Sequence, residues 1–269
     1  MPVRFITVRV FSSPIKNIGY FGYRMIVPLF DPVKFFFGLT GYVWFIRDWA
    51  KYKKLAPKEK IAGINLFPIL DEKVSLTPFD AHYYYQEIWA MKRILARKPK
   101  KHVDLASKYN FSGYLSLFIP VDFVDLRPVK AHLSGLKIIR ANILHLPYKR
   151  NSVPSLSSLH VIEHIGLGRY GDAIDPEGTK KAIKEMIRVM KPGGYIYLSL
   201  PVGKYRLCFN AHRIHTPEMI IREFIGCKLV EFSVVDDEGN LHENVDWRSY
   251  GKPHYGCGLF IFRKNRSKR

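Results

Sequence analysis

The stretch from residue 157 to residue 202 constrains the fold of this chain more than any other. Near its start, residues 156–165 are apolar, are β-branched in the middle and carry the charged pair Glu163-His164. At its end, residues 195–202 are apolar or aromatic almost throughout, which is typical of a strand buried on both faces. The sequence therefore predicts two buried strands in this stretch.

An amphipathic helix is predicted between these two strands. Apolar residues recur at helical spacing on one face and charged residues fill the other: Ile183, Met186, Ile187 and Met190 against Lys180, Lys181, Lys184, Glu185 and Arg188. Asp175-Pro176 is the predicted start of the helix, and Pro192-Gly193-Gly194 is its predicted end. Strand, helix and strand in so short a span make one βαβ unit, which indicates an α/β fold with a parallel sheet covered by helices.

The order of these segments resembles class I S-adenosylmethionine-dependent methyltransferases. The resemblance rests on Val161-Ile162-Glu163-His164-Ile165, followed by Lys191-Pro192-Gly193-Gly194 and a strand. The span from Asp31 to Asp236 also resembles a small methyltransferase-like family of unknown function that is often found among polysaccharide-related proteins. The resemblance implies a Rossmann-like methyltransferase fold, with a mostly parallel central sheet flanked by helices, and S-adenosylmethionine as cofactor.

The resemblance places the first strand and its cofactor loop at residues 102–107, where glycines normally let the backbone approach the ligand closely. Asp104 stands at the acidic position of this loop, and Ala106, Lys108 and Asn110 stand where glycines would be. Asp104 and Ala106 are therefore expected to bind the cofactor. Asn110 tolerates a left-handed backbone, and Lys108 must point away from the cationic sulfonium.

Two polar residues farther along are expected to bind the nucleoside half of the cofactor. Asp125 ends a predicted strand roughly twenty residues after the first loop, the spacing of a carboxylate that accepts from both ribose hydroxyls. A surface aspartate paired with Arg127 is the alternative. The resemblance places Asn142 at the adenine amino group and Ile143 or Leu144 against the adenine ring. Ordinary turn chemistry explains Asn142 equally well.

Two histidines are candidates for the general base that removes a proton from the methyl acceptor. His164 and His212 qualify because a near-neutral pKa suits proton removal at cellular pH. Glu163 is expected to orient a histidine or the amino group of the cofactor's methionine. A purely structural histidine is the alternative at both positions.

Three glycines after the first strand of this unit match the dinucleotide-binding pattern G-x-G-x-x-G, namely Gly166, Gly168 and Gly171. We reject the dinucleotide interpretation because the helix does not begin on these glycines. The acidic residue that the pattern requires is also missing, since Met190-Lys191 stand in its place. A loop at the mouth of the site is predicted instead.

The chain is strongly basic, with 43 Lys and Arg against 23 Asp and Glu and a net charge of +20. Such an excess indicates a nucleic acid, a phospholipid surface or a phosphorylated substrate as partner, or else a solvated basic surface. Aromatic residues beside clustered Lys and Arg in residues 33–54 predict a helix on an anionic membrane, with packing on the domain core as the alternative. The longest apolar stretch, residues 35–46, is too short to span a bilayer. We expect a cytoplasmic protein peripheral to the membrane.

The three cysteines, Cys208, Cys227 and Cys257, are far apart and form no C-x-x-C pair. This spacing argues against a zinc site and against a disulfide framework, and it fits a reducing compartment. The sequence therefore predicts no metal.

The domain organisation predicted from these features has three parts. Residues 1–79 are an aromatic and basic extension with a connector, residues 80–263 the methyltransferase-like domain, and residues 264–269 a basic tail. The predicted function is methyl transfer from S-adenosylmethionine to a small-molecule, glycan or glycolipid-type acceptor. The alternatives are a binding protein that has lost catalysis through its altered glycine loop, and an RNA methyltransferase. The RNA alternative is less favoured because the sequence has neither an amino-methylation motif nor a recognisable RNA-binding module.

Overall fold

The computed structural model describes residues 14–59, 66–250 and 254–266 of the chain. The chain divides into two compact units, residues 1–79 and residues 80–269. The last three residues of the predicted basic tail lie outside the described residues, and its first residue, Lys264, belongs to the last strand of the sheet.

Within residues 14–59 and 66–79, the N-terminal unit contains two helices, α1 (Pro14–Ile26) and α2 (Pro32–Leu55). The sequence does not predict α1, because residues 1–30 follow neither a helical nor a strand period. α2 begins where it does because Asp31 caps it, with Oδ1 accepting the N–H of Lys34 at 3.1 Å, and because proline suits the first helical position.

Most of the large apolar side chains on these two helices are exposed. None of the helices in the described part of the chain is long and apolar enough to cross a bilayer. Lys53 and Lys54 lie in the last turn of α2, at the end of the aromatic run. Contact of this unit with anionic lipid stays a prediction. The exposed side chains include Phe21, Leu29, Phe36, Val43 and Leu55.

The C-terminal unit is built on an eight-stranded sheet with the order β3-β2-β1-β4-β5-β10-β8-β9. Neighbouring strands from β3 to β5 are parallel, and β10 is antiparallel to both β5 and β8. The predicted mostly parallel sheet is therefore confirmed. The strands are β1 (His102–Leu105), β2 (Val121–Asp125), β3 (Leu136–Arg140), β4 (Val153–Leu159), β5 (Met190–Val202), β6 (Arg206–Cys208), β7 (His212–Ile214), β8 (Cys227–Val235), β9 (Leu241–His242) and β10 (Gly256–Lys264), of which β6 and β7 form a separate pair.

Helices cover both faces of this sheet, as the sequence predicts. They are α3 (Ala81–Ala96), α4 (Tyr109–Ser116), α5 (Gly178–Val189) and α6 (Pro217–Glu223). α3 and α4 pack with Leu259 and Ile261 of β10 in one apolar cluster, whereas α5 and α6 pack with Phe260 and Phe262 in another. The alternation along β10 shows that its two faces are both buried, as expected for a strand at the centre of a covered sheet.

The βαβ unit predicted from the sequence is present, but several of its boundaries differ, among them the starts of α5 at Gly178 and of β5 at Met190. β4 ends at Leu159, because His160 takes a left-handed backbone (φ +55°) and residues 162–164 then form a 3₁₀ turn. The predicted helix end at Pro192-Gly193-Gly194 is wrong: α5 ends at Val189, and these residues lie inside β5. Glycine is needed there for packing, because a Cβ on Gly194 would lie 2.7 Å from the carbonyl oxygen of Pro154.

Replacing Gly178 with alanine is expected to lower the free energy of unfolding by about 1–3 kcal/mol, because the new Cβ would lie 2.4 Å from the carbonyl oxygen of Ile165. Gly113 is the matched control: it lies inside α4, and a Cβ there would meet nothing within 4 Å. Gly113→Ala should raise the free energy of unfolding by about 0.5–1 kcal/mol. Urea unfolding measures both. A Gly178→Ala variant as stable as the wild type would contradict the described packing of α5.

Candidate functional site

A cavity of about 240 Å³ opens at the carboxyl ends of the parallel strands. Its walls come from the residues that end or follow β1, β2, β3 and β4, namely Ala106, 124–127, 141–144 and 160–161, and from parts of the segment 164–175. Open α/β sheets bind their ligands at this edge, where loops from several strands converge. Gly166 and Tyr170 of the glycine-rich segment line this cavity, and a loop at the mouth of a functional site stays a prediction.

The loop after β1 keeps its left-handed turn without a glycine. Ala106 takes φ +53° and lines the cavity. Lys108 does not line it: its Nζ lies 3.7 Å from the centre of the Tyr83 ring, a cation–π contact that holds the charge away from the ligand space. Asn110 is helical within α4, so the left-handed backbone that it tolerates is not used.

Asp104 is fully buried and lies behind the cavity wall. Its carboxylate accepts hydrogen bonds from Ser107 Oγ (2.6 Å), Ser112 Oγ (2.8 Å) and Ser157 Oγ. These partners belong to the loop after β1, to α4 and to β4. Asp104 therefore shapes the loop that carries Ala106, and any effect on a bound cofactor would be indirect. Burial raises the pKa of Asp104 to about 6 although three hydroxyl groups donate to it.

The Asp104→Asn substitution is expected to remove one pH dependence of stability. Between about pH 4 and pH 6, Asp104 is protonated in the folded protein but ionised in the unfolded chain, whose pKa is the usual 3.8. The free energy of unfolding of the wild type therefore falls as pH rises through this range. The unfolding free energy of the wild type minus that of Asp104→Asn should fall by about 2–3 kcal/mol between about pH 4 and about pH 7. Urea titrations at several pH values measure this difference. A difference independent of pH would refute the raised pKa.

Asp125 is the last residue of β2 and lines the cavity. Its Oδ1 accepts the backbone N–H of Arg127 at 2.6 Å, whereas the guanidinium of Arg127 lies over the Tyr170 ring at 4.4 Å from its centre. The alternative of a surface ion pair with Arg127 is therefore not what the structure has. The described residues provide no further partner for Asp125 Oδ2, so this oxygen can accept from a ligand.

Asn142 and Ile143 lie together in the same cavity after β3. Asn142 Oδ1 accepts the N–H of Leu144 at 2.9 Å, the turn interaction that the alternative interpretation expected. A carbonyl oxygen has two lone pairs and the Nδ2 group two protons, so this turn leaves capacity to bind a base edge. Ile143 is largely buried and offers an apolar wall. Their contact with adenine stays a prediction.

His164 lines the cavity, and the hydrogen-bond partner of its Nδ1 shows which ring nitrogen carries the proton. Its Nδ1 lies 2.5 Å from the carbonyl oxygen of Ala211, which can only accept, so Nδ1 carries the proton. In the neutral ring Nε2 then has the lone pair, and it lies 3.7 Å from Glu163 Oε1. Burial lowers the pKa of His164, so the neutral form that can take up a proton dominates near pH 7.

Glu163 is completely buried between two histidines. Its Oε1 lies 2.9 Å from Nδ1 of His160, but at an angle outside that of a hydrogen bond, and neither carboxyl oxygen has a hydrogen-bond partner among the described residues. Burial raises the pKa of Glu163 to about 7. Glu163 lies next to both histidines, nearer to His160 than to His164, and its role in orienting a histidine or the cofactor's amino group stays a prediction.

His160 is a cavity residue that the sequence reasoning missed. It is the first residue after β4, whereas the sequence placed it inside the strand predicted at residues 156–165, so its position at a strand end could not signal its role. His212, the second predicted base, is not among the residues that line the cavity. Its ring centre lies 6.4 Å from that of His164 and 5.3 Å from that of Tyr255. Of the two predicted bases, His164 is therefore the one at the cavity.

Residues 130–244 match the family model DUF268, described as a Caenorhabditis protein of unknown function. The match covers less than half of the chain and includes Asn142, Glu163, His164 and His212. No curated protein matches the sequence. An association with polysaccharide-related proteins stays a prediction.

Solved structures with a similar fold carry different activities. The (4+2)-cyclase SpnF is 12% identical, with a TM-score of 0.51 over 68% of this chain and 82% of that one. A candidate sarcosine dimethylglycine methyltransferase from Galdieria sulphuraria is 15% identical, with a TM-score of 0.50 over 68% and 86%. At such identities the likeness shows the fold alone. Together with the strand order, it shows that this chain has the Rossmann-like fold of class I methyltransferases.

Proposed function

We propose that the chain is an S-adenosylmethionine-dependent methyltransferase. The observation that carries this proposal is that one cavity brings together Ala106, Asp125, Asn142, Ile143 and His164, five residues that the sequence predicts for cofactor binding and proton removal. They come from the ends of four different strands, and their convergence on one space follows from the strand order of the sheet.

The residues present fit the parts of this cofactor. The left-handed turn at Ala106 would let the backbone approach the methionine half, Asp125 would accept from the ribose hydroxyls, and Ile143 would pack on the adenine ring. When bound, the cofactor supplies a methyl group on a sulfonium for transfer to a nucleophile. Carboxylates at the cavity wall also favour a cationic ligand, and Asp172 and Asp175 line it beside Asp125.

His164 would take the proton that the acceptor loses. Its neutral ring presents a basic Nε2, and Ala211 holds the tautomer by accepting from Nδ1. Arg169 donates to the same carbonyl oxygen at 3.0 Å, which keeps that oxygen in place. A hydroxyl acceptor needs such a base, because its oxygen becomes nucleophilic as it loses its proton.

The acceptor that we propose is an oxygen or nitrogen of a glycan or glycolipid-type molecule. This part rests on the resemblance of the sequence to a family found among polysaccharide-related proteins. A nucleic acid is the weaker choice despite the +20 charge, because the sequence has neither an amino-methylation motif nor a recognisable RNA-binding module.

Titration of S-adenosylmethionine into the purified protein by calorimetry tests cofactor binding. Asp125→Ala should weaken binding by about 1–3 kcal/mol, since the ribose hydroxyls lose their acceptor. Asp246→Ala is the matched control: Asp246 accepts the N–H of the residue two positions on at 3.0 Å, as Asp125 does, but does not line the cavity. Asp246→Ala should bind like the wild type.

Two results would count against this assignment. Absence of both heat and thermal stabilisation at millimolar S-adenosylmethionine would sink the enzyme proposal. Equal weakening by both aspartate variants would mean that the effect is general and that Asp125 does not contact the ribose.

Formation of S-adenosylhomocysteine in the presence of a panel of glycans and glycolipids tests methyl transfer and the base. The rate should rise with pH as His164 loses its proton, with a midpoint below the ordinary histidine pKa of about 6.5. His164→Asn should remove this rise and lower the rate by roughly 10²-fold or more, whereas His212→Asn should retain both. Cofactor binding without product on any acceptor would favour the non-catalytic binding protein instead.

A further inference from the structure

We propose that His82, His160 and Cys257 form a binding site for a transition-metal ion of the Zn²⁺ type. Their ligand atoms all lie within 4.8 Å of one another. The three residues come from the first turn of α3, the end of β4 and the start of β10. Two imidazoles and one thiolate are a ligand set that zinc accepts, and they suit poorly the hard ions Mg²⁺ and Ca²⁺.

One distance within the cluster is close to that of a tetrahedral site, and the three ligand atoms lie within 4.8 Å of one another. His160 Nε2 lies 3.2 Å from Cys257 Sγ, and zinc bond lengths give about 3.5 Å for such a nitrogen–sulfur edge. The ring centres of His82 and His160 are 5.9 Å apart, with 26° between the ring planes. The ring of Tyr255 stacks on that of His82, with 5.4 Å between the ring centres, and restrains the orientation of His82.

Glu163 provides the second observation that points to a cation here. Its Oε1 lies 2.9 Å from Nδ1 of His160, while Nε2 of the same ring faces the thiol. A carboxylate that accepts from the far nitrogen is the usual partner of a metal-bound histidine. Glu163 lies at that distance from Nδ1 of His160, although outside the angle of a hydrogen bond. Glu163 is completely buried and lacks a hydrogen-bond partner among the described residues, which without a nearby cation is costly.

Charge balance supports the same conclusion. A divalent ion bound by one thiolate has one positive charge left, and the carboxylate of Glu163 would neutralise it. Asp80 is a second carboxylate near the cluster: its Oδ2 is buried without a hydrogen-bond partner in the described structure, and its charge acts on both His160 and Cys257. The ion, the thiolate and Glu163 would sum to zero, and the charge of the partly buried Asp80 is met by the N–H groups of His82 and Tyr83, which donate to its Oδ1.

The chain Cys257–His160–Glu163 also has the order of a thiol nucleophile, its base and an orienting acid. Burial argues against that use. Cys257 has no exposed surface and does not line the cavity, and burial raises the pKa of its thiol well above the ordinary value. A reactive cysteine needs access and an easily formed thiolate, and Cys257 has neither. A metal ion bound at the sulfur, by contrast, deprotonates it directly.

The proposed ion would lie directly behind the cavity wall, because His160 lines the cavity as well as the cluster. It would tie α3 to the central strands, and three protein ligands leave one coordination position for water or a further group. The site does not depend on the proposed methyl transfer, since none of its parts requires a bound cofactor.

Titration of Co²⁺ into the metal-stripped, full-length protein under reducing conditions tests the site. The wild type should bind one equivalent and develop both the visible bands of tetrahedral Co²⁺ and the near-ultraviolet thiolate-to-Co²⁺ band, and one equivalent of Zn²⁺ should abolish them. Cys257→Ser should lose the thiolate band. Cys227→Ser is the matched control, a partly buried cysteine outside the cluster, and it should retain the band.

Two more variants separate the ligands from their surroundings. Glu163→Gln should keep the thiolate band but weaken metal affinity by about 10- to 100-fold, the effect typical of removing a carboxylate behind a histidine ligand. His82→Asn should weaken binding more, whereas His242→Asn, whose histidine pairs with Asp236 outside the cluster, should bind like the wild type.

The wild-type titration decides the proposal even if a cysteine variant fails to fold. Less than stoichiometric Co²⁺, or bound Co²⁺ without a thiolate band, would overturn the site. A thiolate band that survives in a folded Cys257→Ser protein would overturn the choice of ligands.

Discussion

The buried carboxylate of Asp104 is the interaction on which the cavity depends. It gathers hydroxyl groups from the loop after β1, from α4 and from β4 around one charge in the interior. Each hydroxyl offsets part of the cost of burying that charge, and each also fixes the segment from which it comes. Ser157 extends the network to His102, whose Nε2 lies 2.8 Å from its Oγ. The loop that carries Ala106 is therefore held from three directions.

This arrangement explains how the loop can do without glycines. A glycine adopts a left-handed backbone at no steric cost, whereas alanine at φ +53° is strained by about 1 kcal/mol. The hydrogen bonds around Asp104 and the bond from Ala106 N–H to the carbonyl oxygen of Val124 (2.8 Å) hold the turn against that strain. The side chain of Lys108, the second departure from the glycine pattern, turns to the Tyr83 ring, so neither substitution fills the cavity.

The sequence predicted features that depend on neighbouring residues along the chain, and it missed features that depend on contacts between distant segments. Periodicity and spacing act locally, so they predicted the βαβ unit and the strand-end position of Asp125, whereas the position of Asn142 came from the resemblance to methyltransferases. Which residues meet across the sheet depends on strand order, which no local pattern encodes. β10 lies beside β5 although more than fifty residues separate them, and this neighbourhood brings Cys257 to His160. A search for C-x-x-C pairs cannot detect a cluster whose ligands come from distant parts of the sequence.

Two of the buried carboxylates of this domain, Asp104 and Glu163, differ in whether the fold provides their hydrogen-bond donors. Asp104 has its donors within the fold, so its environment is complete without any ligand. Glu163 has contacts with two histidines but no hydrogen bond in the described structure, and it lies between the cavity wall and the His–Cys cluster. A cation at the cluster would keep Glu163 ionised. A carboxylate 3.7 Å from His164 Nε2 would then raise the proton affinity of that ring. The side chain of Glu163 would thus couple a cation bound at the His–Cys cluster to proton transfer at His164 in the cavity.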